Sequence, residues 1–208
     1  RPYSDHPSQQ SINFVINELI KSGFKTNFFG GVENLIEACH QHRTFPKTLF
    51  LNFSDGLSQI NRKAQSAILL ELLGVPYAGS DPLARLMAGN KAYAKKIVSS
   101  SLEIPQSVTV FNGSSLHYYL TEPIMCEYDG IRYFDNFVFG LEEKANRKRK
   151  EYLAKNVLEV QQITTIRTAA QMAFEILNMH DFARVDFRLQ KDGHLFFIEV
   201  NGNAVISE

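Results

Sequence analysis

The sequence predicts a mixed α/β (α+β) protein: an N-terminal α/β lobe on a parallel sheet, followed by a C-terminal lobe on an antiparallel sheet. Two observations carry this. Segments of strand and helix period alternate from Ser8 to Ser101, as βαβ layers require. Further on, Asp129-Gly130 and Asp192-Gly193 each sit between two runs of strand character, the local pattern of an antiparallel hairpin.

Composition sets the outer limits. With 208 residues, 44% hydrophobic and 21% charged, the chain can form one sizeable core or two small lobes. Lysine plus arginine equals aspartate plus glutamate at 22 each, so no overall field favours nucleic acid or an anionic membrane, and neither is expected as a partner. No apolar run approaches the roughly 20 residues that span a bilayer, and the start has no signal-peptide core; the cytoplasm is the expected setting. Cys39 and Cys126 form no Cys-x-x-Cys pair and read as two reduced, semi-buried thiols.

In chain order, Ser8 caps a surface helix in which Ile12, Val15, Ile16, Leu19 and Ile20 recur at helical spacing before Gly23 stops it. Lys25 to Phe29 reads as a short strand, Val32 to His40 as a second helix and Thr48 to Phe53 as an apolar strand. Asn52-Phe53-Ser54-Asp55-Gly56 follows at the strand end where α/β folds place ligand loops, although a plain turn into the next helix is the favoured reading. Arg62 to Leu73 is a periodic helix ended by Gly74. A short extended piece through Gly79 then leads to a new helix with Pro82 in its first turn. Asn90 reads as the N-cap of a helix to Ser101, which sets Lys91 at the anion-favouring helix start; an ordinary surface charge is the other reading, and Lys95 and Lys96 read as exposed.

In the second half, Gly113-Ser114-Ser115 reads as a turn. Pro123 to Tyr128 and Ile131 to Asp135 form a hairpin continuing into Phe139, with Glu127 and Asp135 facing solvent or substrate, solvent being the favoured reading. Lys144 to Lys150 is a basic run of the kind found in solvated loops; one overhanging a nucleotide to help hold its phosphates is the other reading. Thr164 to Asn178 is an amphipathic helix with Ala169, Ala170, Ala173, Ile176 and Leu177 inward, supporting the last hairpin from behind, and His180 after it reads as structural.

That last hairpin carries the chemistry. With Asp192-Gly193 as a two-residue type I′ loop, Lys191 pairs with His194, Asp186 lies opposite Glu199 and Arg184 opposite Asn201. Val185, Phe187 and Leu189 then share a core face with Phe196, Ile198 and Val200. On the other face two carboxylates are opposed with Cβ atoms roughly 4.5–5.5 Å apart, a destabilising pair unless neutralised. A hard divalent cation such as Mg2+ on Asp186, Glu199 and Asn201 would do so. So would Arg184 or Arg188, pairing with the acids on an ordinary solvated sheet.

The string R-V-D-F, the D-G turn, I-E-V-N-G-N and Ser207 together resemble the end of the ATP-grasp fold, closest the D-alanine:D-alanine ligase branch. Leu49 to Pro105 is similar to the N-terminal lobe of that family: a helix ending in L-L-G, then V-P-Y-x-G-S, then a helix leading to Lys91. The resemblance implies an N-terminal pre-ATP-grasp lobe over 1–105 and a partial ATP-grasp lobe over 106–208. It implies that Asp186, Glu199 and Asn201 hold Mg2+ (or Mn2+) on ATP, and that Lys91 faces phosphate. Arg184 would face the reacting phosphoryl and carbonyl oxygens, with Ser207 as a second catalytic-site residue.

The family pattern is incomplete here. No strand lysine, Gly/Ser-rich phosphate loop or adenine-side acid and lysine is recognisable between Gln106 and Glu122, and Lys150-Glu151-Tyr152 only loosely resembles the family's mobile Lys-Tyr loop. Ala204-Val205 stands where the family has Pro-Gly before its Ser, so a second substrate other than D-alanine is plausible. The chain also starts past the family's first strand and stops before its last helix, as expected of part of a longer protein; a naturally reduced, inactive relative is the alternative. The activity implied is an ATP-dependent carboxylate-amine ligase that joins an amino acid or peptide carboxylate to an amine acceptor through an acylphosphate. A noncatalytic nucleotide-binding relative and a phosphotransferase are the other readings. The ligases it resembles are usually dimers, so a homodimer is compatible with the reading.

Overall fold

A computed structural model describes residues 7–57, 61–104, 114–119, 122–128 and 149–202, with the backbone alone for 114–119, Glu122, Ile124, Tyr128 and Arg149. The described chain packs as two compact units. One holds the residues up to Leu86 together with His180–Phe182 and Gly202; the other holds Met87–Met179 and Ala183–Asn201.

The first unit begins with α1 (Gln9–Lys21), capped as its sequence requires: the Ser11 N–H donates to Ser8 Oγ at 3.0 Å. At its end Gly23 adopts φ +87°, and the N–H groups of Gly23 and Phe24 reach the carbonyls of Ile20 and Leu19, a Schellman closure. No side chain of α1 is buried, in keeping with a surface helix. Helix α2 (Val32–His40) buries Val32, Leu35 and Ala38 and packs against α3 (Arg62–Leu72), which buries Ala64, Ala67 and Leu70. Gly74, at φ +63°, closes α3 as Gly23 closes α1.

Strands β1 (Phe50–Leu51) and β2 (Tyr77–Ala78) form a two-stranded parallel sheet, with Phe50 opposite Tyr77 and Leu51 opposite Ala78. Two expectations change here. Thr48–Phe53 contributes only two residues to the ladder. Lys25–Phe29 is not a strand: it has strand composition but no ladder among the described residues, and Phe29 instead sets its ring edge-on against Phe45 and Phe50 at 5.6 and 5.2 Å. Strand propensity needs a paired neighbour to become a strand. The N-terminal run of this unit ends at Leu86, within α4 (Pro82–Gly89).

The second unit opens with α5 (Lys91–Val98), shorter than the expected helix to Ser101 and capped by Asn90, whose Oδ1 accepts from the N–H groups of Ala92 and Tyr93. Set beside the expected division at residue 105, the packing puts α5 with the C-terminal sheet, and the Phe197 N–H reaches the Glu103 carbonyl at 2.9 Å. The sheet holds β3 (Ser114–Tyr119), β4 (Glu122–Tyr128), β5 (Arg149–Leu153), β6 (Arg184–Leu189) and β7 (Leu195–Asn201), in the order β5-β4-β3-β6-β7, antiparallel throughout. Ser114-Ser115 therefore opens a strand rather than a turn, and Gly113 lies outside the described residues. Glu127, expected toward solvent, is buried: consecutive Met125, Cys126 and Glu127 are all buried, so both faces of β4 are covered there. Ile131–Asp135, and Lys144 to Lys148 of the basic run, lie outside the described residues.

Helix α6 (Val160–Ile176) starts earlier than its apolar periodicity shows, because Glu159 and Gln162 form a capping box; Gln162 Oε1 accepts from the Glu159 N–H at 3.1 Å. Its Ile163, Ile166, Ala169, Ala170 and Ala173 are buried, as is Leu177 beyond its end, while Ile176 is half-buried.

The β6–β7 hairpin departs from its expected register in an instructive way. Gln190, not Lys191, pairs with His194, so the loop has three residues, Lys191-Asp192-Gly193, with Gly193 at φ +95°. This shifts the turn end by one residue, and a bulge at Ile198, between the Asp186 and Phe187 pairings, shifts it back. Near the turn Phe187 meets Phe197 and Leu189 meets Leu195, so Phe197 enters the core where Phe196 and Ile198 were expected; both of those are half-buried. Beyond the bulge Asp186 faces Glu199, Val185 faces Val200 and Arg184 faces Asn201, as the count from the turn predicts.

Cys39, half-buried, and Cys126, buried, are not joined in a disulfide. No helix among the described residues is long and apolar enough to cross a membrane.

Candidate functional site

Strand alternation puts Arg184 and Asp186 on the face of β6 away from Val185 and Phe187, and the register puts Asn201 and Glu199 beside them on β7. Arg184 grips Asp186 with two parallel bonds, Nε to Oδ1 at 2.8 Å and Nη2 to Oδ2 at 3.1 Å. Across the ladder Lys91 Nζ lies 2.6 Å from Glu199 Oε2, and Asn201 Nδ2 donates to Glu199 Oε1 at 3.4 Å. Each of the two opposed carboxylates thus meets a cation. Asp186 is buried and Glu199 nearly so, with 17% of its side chain exposed, whereas the Lys91 side chain is 69% exposed. Burial pushes the guanidinium of Arg188, two residues beyond Asp186 on β6, below its ordinary pKa.

Five of the six residues singled out in the sequence, Lys91, Arg184, Asp186, Glu199 and Asn201, therefore gather on one sheet face of the second unit. The arginine pairing that competed with the metal reading is present too; the donor set and its counter-ions coexist. Ser207, with Asn203 to Ile206, lies outside the described residues.

The donor set suits a hard cation: two carboxylates directly opposed in register and one amide oxygen. Among the described residues no group of three or more His, Cys, Asp or Glu side chains gathers. A cation held here would keep coordination positions for outside oxygens, which fits Mg2+ carrying waters or phosphates and not a closed structural site.

The Asn52–Gly56 segment is an irregular stretch held within the first unit by its own polar groups. Asp55 accepts from Arg62 Nη1 at 2.9 Å and from Lys63 Nζ at 2.7 Å, and the Ser54 carbonyl accepts from Ser66 Oγ at 2.6 Å. Arg85, fully enclosed, donates to the carbonyls of Ser80 and Asn52 at 2.8 and 2.9 Å, and burial lowers its pKa to about 10. Gly79 is required there: it sits at φ +116°, and a Cβ would come within 2.8 Å of the Arg85 guanidinium. Sequence reasoning missed this knot, although an aspartate in a turn followed by Arg62-Lys63 at a helix start carries a trace of it. His180 is structural as expected, its N–H donating to Ser80 Oγ at 3.0 Å and its Nε2 lying 3.3 Å from Asp81 Oδ2.

Residues 121–204 match the family model described as "D-ala D-ala ligase C-terminus". Among solved structures, the chain is similar to D-alanine–D-alanine ligase from Bacillus anthracis complexed with ATP, at 17% identity and a TM-score of 0.67, covering 99% of this chain and 84% of that one. It is similar to the VanG D-Ala:D-Ser ligase from Enterococcus faecalis at 13% identity and a TM-score of 0.57, covering 76% of this chain and 64% of that one. A pyruvate carboxylase from Rhizobium etli also matches, at 14% identity and 0.59, over 85% of this chain and 15% of that one. No curated protein matches. At these identities the structural likeness establishes the fold, which is the ATP-grasp fold of the D-alanine ligases, with the chain spanning 64% of the VanG ligase.

Proposed function

With residues 121–204 matching the C-terminal domain of the D-Ala–D-Ala ligases, we propose that the protein is an ATP-dependent carboxylate-amine ligase that makes an amide or peptide bond. The observation that carries this is the opposed pair Asp186 and Glu199, flanked in register by Arg184 and Asn201 and met by Lys91. On this reading the oxygen of an amino acid or peptide carboxylate attacks the γ-phosphorus of ATP, ADP leaves, an amine attacks the acylphosphate carbonyl, and phosphate is lost.

Asp186, Glu199 and Asn201 would hold the metal. Mg2+ bound to them supplies charge neutralisation to the phosphate oxygens. Lys91 supplies a mobile cation for a phosphate. Arg184, aimed by its two bonds to Asp186, presents its remaining N–H donors where charge develops on the phosphoryl and carbonyl oxygens. These groups position and stabilise, and no side-chain nucleophile is needed. Ser207 is proposed to contact the acceptor. The ligase is proposed to act in the cytoplasm, where ATP and Mg2+ are abundant, and as a homodimer.

The test is Mg2+-dependent ADP release against a panel of amino acids and peptides. The expected result is release stimulated by an amine acceptor and abolished in Glu199→Gln. Nucleotide binding with no release under any pairing would replace the ligase by a noncatalytic nucleotide-binding relative.

A further inference from the structure

Within the proposed site the two ion pairs differ in kind. Arg184 and Asp186 lie on one strand and close a two-bond fork, so the cation is tied to its carboxylate by the backbone as well as by charge. Lys91 reaches Glu199 from another element, by a single contact at 2.6 Å. Its backbone is held by the Asn90 cap and by the burial of Ala94 and Val98 along α5, while its own side chain is 69% exposed. The anchored element therefore carries a free-swinging ammonium on a flexible four-carbon stem.

Glu199 is the reverse case. Asn201 occupies Oε1 and Lys91 occupies Oε2, so both oxygens are engaged, and little of the side chain meets water. A divalent cation cannot take Oε2 with an ammonium still 2.6 Å away, since two like charges would then crowd one oxygen. An anionic phosphate nearby would offer Lys91 an alternative partner.

Building on the ligase reading, we propose that Lys91 is the exchangeable counter-ion of Glu199: it blocks the metal at this carboxylate until a nucleotide phosphate draws it away. Nucleotide and metal binding are then coupled through one lysine, and the coupling is reciprocal, each ligand tightening the other. With neither bound, Lys91 prevents the exposure of a half-buried, uncompensated carboxylate opposite Asp186.

The test is Mn2+ binding followed by electron paramagnetic resonance on the full chain, first without nucleotide. Lys91→Met removes the competitor and is expected to bind Mn2+ about fivefold more tightly than the native protein, while Lys91→Arg stays near the native value. In a Glu199→Gln background the Lys91→Met substitution is expected to change nothing. Equal Mn2+ affinity for Lys91→Met and the native protein, or no nucleotide-free binding by either, overturns the exchange. A native protein that binds no Mn2+ even with ADP present overturns the ligase reading itself, so the two failures are told apart.

Discussion

Among the described residues, the Asp55 cluster of the first unit and the Asp186–Glu199 cluster of the second are built on opposite plans. In the first unit Asp55, with 3% of its side chain exposed, sits between two cations from the first turn of α3, and Arg85 is spent entirely on main-chain carbonyls. In the second unit two carboxylates face each other across a ladder, and one of the balancing cations reaches out through solvent. The first cluster is complete within the protein, because a buried charge that lost a partner would be costly. The second is balanced in part by a cation on an exposed, flexible side chain, and on the proposed reading a ligand rearranges it. What separates the two clusters here is the exposure of their counter-ions, not the number of charges.

The contrast can be broken most sharply at Glu199. Glu199→Gln is expected to lower Mg2+-dependent turnover by about 1000-fold, read as ADP release with the best acceptor. If turnover survives, the sheet face is not the centre. Phe197→Ala should destabilise by about 3 kcal/mol in urea unfolding and Phe196→Ala by less than about 1 kcal/mol, because the bulge places Phe197 in the core under the ligand pair. Equal losses would mean that the expected uninterrupted register holds instead.

In the first unit Asp55→Ala is expected to cost about 3 kcal/mol, since it removes the buried carboxylate on which Arg62 and Lys63 converge. Arg85→Leu should cost about 2 kcal/mol by leaving the Asn52 and Ser80 carbonyls without their donor. The smallest effect returns to Glu199: Glu199→Gln should move the unfolding free energy by less than about 0.5 kcal/mol, because relief of the opposition to Asp186 offsets the lost ion pair with Lys91. A loss of several kcal/mol there would make the site cluster structural after all.

Much of this was legible in the residues. Caps and stops came through where a single side chain or a positive φ decides the matter, as at Ser8, Gly23, Gly74 and Asn90. The pairing of Asp186 with Glu199 and of Arg184 with Asn201 was also legible, although the path to it was not. Asp-Gly suits a two-residue turn and a three-residue one with glycine in the left-handed region, so the turn alone left the register open by one residue. The bulge at Ile198 returned it. Segments that needed a neighbour were misread: Lys25–Phe29 has the composition of a strand without a ladder, and Ser114-Ser115 has the composition of a turn within one.

The local grammar follows from the residues alone: where helices start and stop, which strands alternate, and that two acids and their neighbours share one face of the last hairpin. Those are consequences of periodicity and of short-range backbone chemistry, which act within a few residues. Long-range packing settles the rest: that Phe197 and not Phe196 fills the core, that Glu127 is buried, that Asp55 is locked inside, and that Lys91 closes on Glu199. Each of these depends on which distant segment arrives to pack, pair or neutralise, and such contacts are set by the free energy of the whole fold rather than by any local pattern.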